Sequence, residues 1–147
     1  MTYLLDTNVI SALAPSRADR PPSLVDWLDR KSDELFLSVI TATEVRDGIA
    51  KASRAGATRK ALALTVWWDQ VEVRFADRLL AFDLQAATLA GMLSDRARAA
   101  GLSPGFADIA IAATAGAHGH ALLTRNLKDF RVFGIVALDP FATPPTS

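Results

Sequence analysis

Residues 2–8, with the sequence TYLLDTN, place a short apolar run directly before a carboxylate, a hydroxyl and an amide. An apolar run of this length is typical of a buried β-strand. The pattern predicts that Thr7 or Asn8 caps a helix starting at Val9, so Asp6 falls where the strand ends. Ligands of open α/β sheets bind outside the carboxyl ends of the strands, which makes Asp6 a candidate site residue. Taken alone, an Asp in this position is more often a cap or turn residue.

The composition describes one globular domain without disulfides and without a bulk charge. The chain has 147 residues, and 50% of them are hydrophobic, which is enough to fill a single core. Its 16 Lys and Arg balance 16 Asp and Glu, so any contact with nucleic acid must come from a local patch or from bound cations. The absence of cysteine excludes disulfides and thiolate metal sites. The sequence shows neither the pattern of a signal peptide nor an apolar run long enough to span a membrane, and we expect a soluble, cytoplasmic protein.

Short apolar runs alternate with helical patterns along the whole chain. This alternation predicts an α/β domain with a central parallel β-sheet flanked by α-helices on both faces. No internal repeat, low-complexity tract or linker divides the sequence, so we expect residues 1–147 to form a single domain with a loose tail from about residue 141. The predicted strands cover residues 2–5, 35–39, 79–82, 121–124 and 135–138.

Capping signals predict where several helices start. Ser23 is expected to cap the second helix, and Asp83 is expected to cap the helix that follows the third strand. Thr41 and Glu44 stand three residues apart and form a capping-box pattern. On local sequence alone, this pattern favours a purely structural role for Glu44.

A longer helix is predicted over about residues 58–73. It contains the consecutive residues Trp67 and Trp68, which point about 100° apart on a helix. One of them is therefore expected in the core, and the other at its edge or in an interface. The apolar side chains expected on or near one face of this helix are Leu62, Val66 and Val73.

Acidic residues from three distant parts of the chain fall at one predicted edge of the sheet. Asp6 follows the first strand, Glu44 lies one turn into the helix after the second, and Asp108 lies in the first turn of an alanine-rich helix over residues 106–118. Carboxyl ends of parallel strands and the starts of the following helices lie at the same edge, so these acids should meet. Their mutual repulsion would raise their pKa values, and a bound divalent cation removes that cost. A favourable interaction with the helix dipole is the structural alternative for Asp108.

Four blocks of sequence carry a resemblance to the PIN-domain nucleases, and within them to the VapC-like toxins of bacterial toxin–antitoxin pairs. The longer helix before the third strand is most similar to the FitB-like branch. The blocks are LLDTNVI at 4–10, SVITATE at 38–44, FADIAIAATA at 106–115 and LTRN at 123–126. In order and spacing the resemblance covers essentially the whole chain. It implies a PIN fold, metal-dependent endoribonuclease activity, a homodimer within a larger toxin–antitoxin assembly, and a cognate VapB-like antitoxin that blocks the site.

The resemblance also assigns residues to a metal site. Asp6, Glu44 and Asp108 match the metal-binding acids of the family, and Mg²⁺ or Mn²⁺ is the implied cofactor, since both ions prefer oxygen ligands. The fourth position, often Asp in relatives, falls on Asn126, so occupancy of a second metal position stays open. Asp129 either compensates through a water molecule or is a turn residue.

The expected chemistry is phosphodiester hydrolysis. Our hypothesis is that Asp6 and Asp108 ligate a shared metal, while Glu44 ligates it through water or orients the nucleophile. Side chains next to such ligands commonly hold them in place by hydrogen bonds. The residues expected in that supporting role are Thr7, Asn8 and Thr124.

RNA is expected to contact a few cations beside the acids. Arg125, next to the fourth position, is the best placed of them. For the other candidates, a role as solvated surface residues is the simpler interpretation. Because the net charge is zero, antitoxin binding and local geometry should determine partner choice more than bulk charge does. The tryptophan pair is able to stack on a base, although a core or interface role is favoured. The other candidate cations are Arg17, Arg20 and Arg46.

Three other classes of function stay open. The first is a phosphotransfer domain. Its haloacid-dehalogenase (phosphatase) version expects a second Asp where Asn8 stands, and its receiver version expects an acidic pair that residues 2–3 do not supply. A Rossmann-type enzyme needs a glycine-rich turn after the first strand. A non-catalytic RNA- or partner-binding module on the same fold is the serious competitor, because the fourth acid is missing. His118 and His120 lack the companions that a metal site of their own would need.

Overall fold

Within residues 1–15, 20–143 and 145, which the computed structural model describes, five short strands form one sheet. They are β1 Tyr3–Leu5, β2 Leu35–Ser38, β3 Leu79–Leu80, β4 Ala121–Leu123 and β5 Ala137–Leu138. Their order in the sheet is β3-β2-β1-β4-β5, and every neighbouring pair is parallel. Leu4 in the central strand β1 is in register with Phe36 on one side and Leu122 on the other. The predicted parallel sheet is confirmed.

Helices pack on both faces of this sheet, as the sequence predicts. They are α1 Thr7–Ser11, α2 Pro22–Arg30, α3 Val39–Arg54, α4 Thr58–Arg74, α5 Leu84–Ala99, α6 Phe106–His118 and α7 Leu127–Phe130. Side chains of a strand alternate between its faces, so Tyr3 and Leu5 join one core cluster and Leu4 joins the other. The first cluster includes residues of α1, α2, α3 and α4, whereas the second includes residues of α5, α6 and α7.

The first two helices begin earlier than their sequence signals predict. Helix α1 begins at Thr7, and its N-cap is Asp6, whose side chain accepts a hydrogen bond from the Thr7 backbone N–H. Helix α2 begins at Pro22 without a side-chain cap, so the predicted cap Ser23 is wrong. Proline at the first helical position supplies a suitable φ angle and has no N–H to be capped. The predicted cap Asp83 is confirmed, since it accepts a 2.9 Å hydrogen bond from the Ala86 N–H.

Helix α3 also begins earlier, which overturns the predicted capping box. Its N-cap is Ser38, whose hydroxyl accepts a 3.0 Å hydrogen bond from the Ile40 N–H. Thr41 is therefore the third residue of the helix and is fully buried, not a cap. Glu44 lies in the second turn, so it has no role in capping this helix.

Helix α4 buries one of its two tryptophans. Trp68 is completely buried, whereas Trp67 is only partly buried against the first core cluster, which confirms the prediction for this pair. The helix is rotated so that Trp68, one of its two largest side chains, faces the core. As a result, the apolar side chains predicted on or near one face are not part of the core but are 52–79% exposed. These exposed residues are Leu62, Val66 and Val73.

The end of the chain is ordered at least as far as Phe141. Phe141 packs against the first core cluster, and its N–H donates to the Asp139 carboxylate over 2.9 Å. Residues 144, 146 and 147 lie outside the described part of the chain, so the looseness of the tail stays a prediction.

Candidate active site

Asp6 is the most buried acid at the carboxyl edge of the sheet, with 5% of its surface exposed. Its backbone N–H donates to the Leu123 carbonyl over 2.8 Å, which extends the pairing of β1 with β4 by one residue. Its Oδ1 accepts from the Thr7 N–H and its Oδ2 accepts from the Thr124 hydroxyl, both over 2.8 Å. Both carboxylate oxygens are therefore held in fixed directions.

Burial raises the pKa of Asp6 to about 6. The hydrogen bonds from Thr124 and Thr7 oppose this rise, and the negative charges of Asp108 and Glu44 add to it. A carboxylate that is buried beside two other acids is destabilised in its ionised form. The site is therefore one at which a cation would be stabilising.

Glu44 reaches the same edge from α3. Its Oε1 accepts a 2.5 Å hydrogen bond from the hydroxyl of Thr7, the first residue of α1. The Thr7 hydroxyl also lies 3.0 Å from the hydroxyl of Thr41. Because the capping box is absent, the structural explanation that the sequence offered for Glu44 no longer applies.

Asp108 completes the cluster from the first turn of α6, where it is half-buried. Burial is the main cause that raises its pKa, followed by the charges of Asp129 and Glu44. Glu44 thus acts electrostatically on both Asp6 and Asp108. The three acids predicted to meet at one edge of the sheet do lie within electrostatic range of one another.

The side chains of the site offer ligands that suit a hard divalent cation, although they are not close enough together to form a complete coordination shell. Carboxylates, hydroxyls and amides offer oxygen atoms, the ligands that Mg²⁺ and Mn²⁺ prefer. In the described ranges 1–15, 20–143 and 145, no three His, Asp or Glu side chains converge closely enough to form a ready set of ligands. Mg²⁺ usually retains several water molecules and binds through only one or two carboxylates, so an open arrangement fits its chemistry.

Thr124 connects Asp6 to the loop after β4. Its hydroxyl donates to Asp6 and accepts from the Asn126 backbone N–H over 3.0 Å, with the Asn8 amide at 3.5 Å. The Asn8 carbonyl oxygen in turn accepts from the Arg125 backbone N–H over 3.2 Å. Asn8 and Thr124 therefore hold the loop that carries Arg125 and Asn126 against the acidic edge.

Asn126 precedes α7, and Asp129 lies within this short helix. The Asn126 carbonyl accepts from the Asp129 backbone N–H over 3.0 Å, which brings the two residues onto one turn. Asp129 acts on the pKa of Asp108 more strongly than Glu44 does. Asp108 and Asp129 also line one cavity of about 400 Å³ together with Lys128. Of the two candidates for a fourth position, Asp129 is the one that carries negative charge toward Asp108.

The predicted cations have different surroundings. Arg125 is exposed, and its guanidinium lies 4.0 Å from the centre of the Phe141 ring. Arg46 pairs with Asp69 and Glu72 at 2.9 and 3.0 Å, which connects α3 to α4. Arg20 donates to the Leu13 carbonyl, and Arg17 lies outside the described residues.

A groove next to the acids was not predicted from the sequence. Its volume is about 640 Å³, and it runs between α1, α3 and α4 with Thr7 and Glu44 at one end and Lys60 and Trp67 along it. Lys60 gave no local signal, because its position depends on how α4 folds back on α3. The sequence singled out Thr41, but as a helix cap, whereas in the structure its hydroxyl contacts that of Thr7.

The histidine pair lies away from the acids. His120 precedes β4, at the opposite end of that strand from Thr124, and its Nδ1 lies 2.6 Å from the Thr2 hydroxyl. Its ring stacks on Phe36 with 4.3 Å between ring centres. His118 lies 3.6 Å from Asp83. Both rings therefore lie before β4, at the end of the sheet opposite to the acidic edge.

The fold and this acidic edge define a class of protein. A PIN domain family model matches residues 3–135, and the chain belongs to this family. The predicted family and fold are therefore confirmed. None of the helices in the described residues is long and apolar enough to cross a membrane.

The chain is similar to three named relatives over 94% of its length. VapC ribonuclease Y4jK of Sinorhizobium fredii is 38% identical and covered to 96%, and plasmid stability protein StbB of Pseudomonas syringae pv. tomato is 37% identical and covered to 97%. Toxin FitB of Neisseria gonorrhoeae is 33% identical and covered to 97%. Among solved structures, the crystal structure of FitAcB from Neisseria gonorrhoeae aligns with a TM-score of 0.80 at 33% identity, covering 95% of this chain and 98% of the other.

Proposed function

We propose that this protein is a metal-dependent endoribonuclease that acts as the toxin of a VapBC-like toxin–antitoxin pair. The observation that carries the proposal is the meeting of Asp6, Glu44 and Asp108 at the carboxyl edge of the sheet, with Asp6 buried and its pKa raised to about 6. Relatives that match nearly the whole chain are named as a VapC ribonuclease and as a toxin, which supports the same conclusion.

Asp6 and Asp108 are the residues that would hold a divalent cation, Mg²⁺ or Mn²⁺. Glu44 would act through a water molecule or orient the attacking water, since one of its oxygens already accepts the Thr7 hydroxyl. When bound, the cation supplies positive charge that offsets the charge of the phosphodiester and makes water more acidic.

The remaining residues of the site keep these carboxylates in place. The Thr124 hydroxyl and the Thr7 backbone N–H each donate to one oxygen of Asp6, which fixes the orientation of this carboxylate. The Thr7 hydroxyl does the same for Glu44. Fixed ligands lose little entropy when a charged phosphate arrives, and this preorganisation is a main source of catalytic power in phosphoryl transfer.

RNA would lie along the groove between α1, α3 and α4 and reach the acids at its end. Lys60 and Trp67 supply a cation and an aromatic face in that groove. Arg125 lies at the other side of the site, on the loop that Asn8 holds. A neutral protein with such local contacts would recognise RNA by shape and position more than by bulk charge.

The protein would function with two kinds of partner, a second copy of itself and an antitoxin. We expect a homodimer and a VapB-like antitoxin that covers the site until it is removed. A solved toxin–antitoxin complex from Klebsiella pneumoniae aligns with 95% of this chain at 25% identity with a TM-score of 0.59, which supports a partner of this kind.

The activity is tested with purified protein, a set of RNA substrates and Mg²⁺. Cleavage should require the metal and disappear in EDTA, and Asp6→Asn, Asp108→Asn and Glu44→Gln should each reduce it at least about 100-fold, because each removes a negatively charged ligand. Asp95→Asn, an exposed acid on α5, is the matched control and should cleave like the wild type. Full cleavage in EDTA would contradict the proposed mechanism.

The toxin role is tested by expression in cells. Induced wild-type protein should arrest growth, Asp6→Ala should not, and co-expression of the neighbouring antitoxin gene should restore growth. Equal growth in all arms would contradict this role.

A non-catalytic RNA-binding module is the second candidate function. It is favoured by one observation, that the fourth position, where an acid is expected, holds Asn126. It predicts RNA binding that is equal with Mg²⁺ and with EDTA, and no cleavage in either condition.

A further inference from the structure

Thr41 is a buried polar residue at the base of the acidic edge. It lies in the first turn of α3, and none of its surface is exposed. Its hydroxyl lies 3.0 Å from the hydroxyl of Thr7, which belongs to a different helix. The Thr7 hydroxyl is in turn 2.5 Å from Glu44 Oε1. Three side chains from two helices thus form one continuous chain of hydrogen bonds.

The number of protons available for donation determines which group is the donor in each of these two hydrogen bonds. A threonine hydroxyl has one proton to donate, and an ionised carboxylate is able only to accept. Thr7 therefore donates its proton to Glu44, and in the contact between the two hydroxyls Thr41 must be the donor. With Thr41 as donor on one side of the Thr7 oxygen and Glu44 as acceptor on the other, the Thr7 hydroxyl has a single orientation, directed at Glu44.

Thr41 differs in this respect from the other helical threonines. Four of them donate their hydroxyl to the carbonyl of the residue four positions earlier in the same helix. Thr41 is only the third residue of α3, so the residue four positions before it, Leu37, belongs to strand β2. Its hydroxyl contacts α1 instead. The four threonines that bond within their own helix are Thr43, Thr65, Thr88 and Thr114.

We infer that Thr41 is a positioning residue for the nuclease site, which fixes the Glu44 carboxylate by orienting the Thr7 hydroxyl. This inference rests on the proposed function, because it assumes that the orientation of Glu44 matters for metal binding and cleavage. Thr41 does not touch the reacting atoms. Its effect should therefore appear in metal affinity and in kcat, and only weakly in the KM for RNA.

The test compares variants with and without the hydroxyl. Thr41→Val keeps the shape of the side chain but removes the hydroxyl. Thr41→Ala also removes the hydroxyl and introduces a residue with high helix propensity, whereas Thr41→Ser keeps the hydroxyl. Thr114→Val is the matched control, since Thr114 is equally buried and its hydroxyl bonds only within α6. Circular dichroism and urea unfolding establish which variants are folded, so that loss of structure is separated from loss of positioning.

Two readouts are needed, cleavage kinetics with Mg²⁺ and Mn²⁺ affinity by calorimetry without RNA. We expect Thr41→Val and Thr41→Ala to lower kcat and Mn²⁺ affinity about 10-fold, in line with other residues that support metal ligands, with KM within about twofold. Thr41→Ser should recover most of both quantities, and Thr114→Val should change neither. In a Glu44→Ala background, Thr41→Val should add no further loss.

The outcomes separate the two proposals. Wild-type kcat and Mn²⁺ affinity in a folded Thr41→Val or Thr41→Ala would overturn the positioning role while leaving the nuclease intact. So would a loss in Thr41→Ser as large as in Thr41→Val, or an undiminished effect in the Glu44→Ala background. If the wild type cleaves no RNA but Mn²⁺ affinity still falls in the two hydroxyl-free variants alone, the nuclease proposal fails and the positioning role stands.

Discussion

The Thr124 hydroxyl donates a 2.8 Å hydrogen bond to Asp6 Oδ2, although the two residues are 118 positions apart in the chain. Both follow directly after neighbouring strands, β1 and β4, which run parallel in register. The same hydroxyl accepts from the Asn126 N–H, so it joins the buried acid to the loop that carries the fourth position. A parallel sheet brings these residues together because its strands end at a common edge.

Thr124→Val should impair the site and destabilise the fold. The variant leaves the Asp6 carboxylate without its side-chain donor and the Asn126 N–H without its acceptor. An unsatisfied buried group costs about 1–3 kcal/mol, and loss of a supporting residue lowers metal affinity or activity about 10–100-fold. Urea unfolding and Mg²⁺-dependent cleavage measure the two effects. Thr124→Ser keeps the hydroxyl and should retain most of both; equal losses in Val and Ser would contradict this explanation.

The stability of the metal-free protein should fall between about pH 4 and pH 6. Burial raises the pKa of Asp6 from 3.8 to about 6, so the folded state binds this proton more tightly than the unfolded state. The stabilisation from the bound proton is complete below the unfolded pKa and is lost as the pH rises through the folded one. A shift of this size corresponds to about 3 kcal/mol.

The difference between wild type and Asp6→Asn isolates this contribution from that of the other acids. In EDTA, urea unfolding should show the wild type losing stability relative to Asp6→Asn as the pH rises from 4 to 7. Asp95→Asn, the exposed control on α5, should follow the wild type. A constant difference between wild type and Asp6→Asn across this range would contradict the assigned pKa. Saturating Mg²⁺ should restore stability to the wild type at neutral pH, because it binds only the folded state.

The sequence predicted the edge of the sheet better than it predicted the helices that start there. Asp6 was placed correctly after its strand, and Thr124 to within one residue of the end of its strand, because apolar runs and the polar residues at their ends mark strand ends directly. The start of α3 was wrong because Ser38 and Thr41 are both suitable caps, and the burial of Thr41 against α1 decides between them. A tertiary contact of this kind leaves no trace in local sequence.

The groove and the exposed face of α4 depend on packing in the same way. The pattern of Leu62, Val66 and Val73 is as apolar as that of a buried face, but burying Trp68 removes more apolar surface from water. Once Trp68 faces inward, Trp67 and Lys60 are directed toward the groove beside Glu44. Periodicity identified the helix, and side-chain volume determined its rotation.

Asp129→Asn should weaken Mn²⁺ binding, and Asn126→Asp should strengthen it. The charge of Asp129 raises the pKa of Asp108, which shows that it acts on the acidic cluster from the α7 side. Removing that charge lowers the attraction for a cation, whereas a carboxylate at position 126 adds attraction. Calorimetry should show changes of about 3–10-fold in opposite directions, as expected for a single charge near a partly exposed site. A Mn²⁺ affinity equal to that of the wild type in both variants would show that neither position contributes to the metal site.

Substitutions of the two adjacent tryptophans should have different effects, one mainly on stability and the other mainly on RNA binding. Trp68 is completely buried, so Trp68→Ala should cost about 3–5 kcal/mol of unfolding free energy through lost burial and a new cavity. Trp67 is only partly buried and lines the groove beside Glu44, so Trp67→Ala should cost clearly less. If RNA lies in that groove, Trp67→Ala should raise the KM for RNA with little change in kcat, since stacking on one base contributes about 1–3 kcal/mol. Urea unfolding and cleavage kinetics measure both quantities, and an unchanged KM in Trp67→Ala would place the RNA elsewhere on the protein.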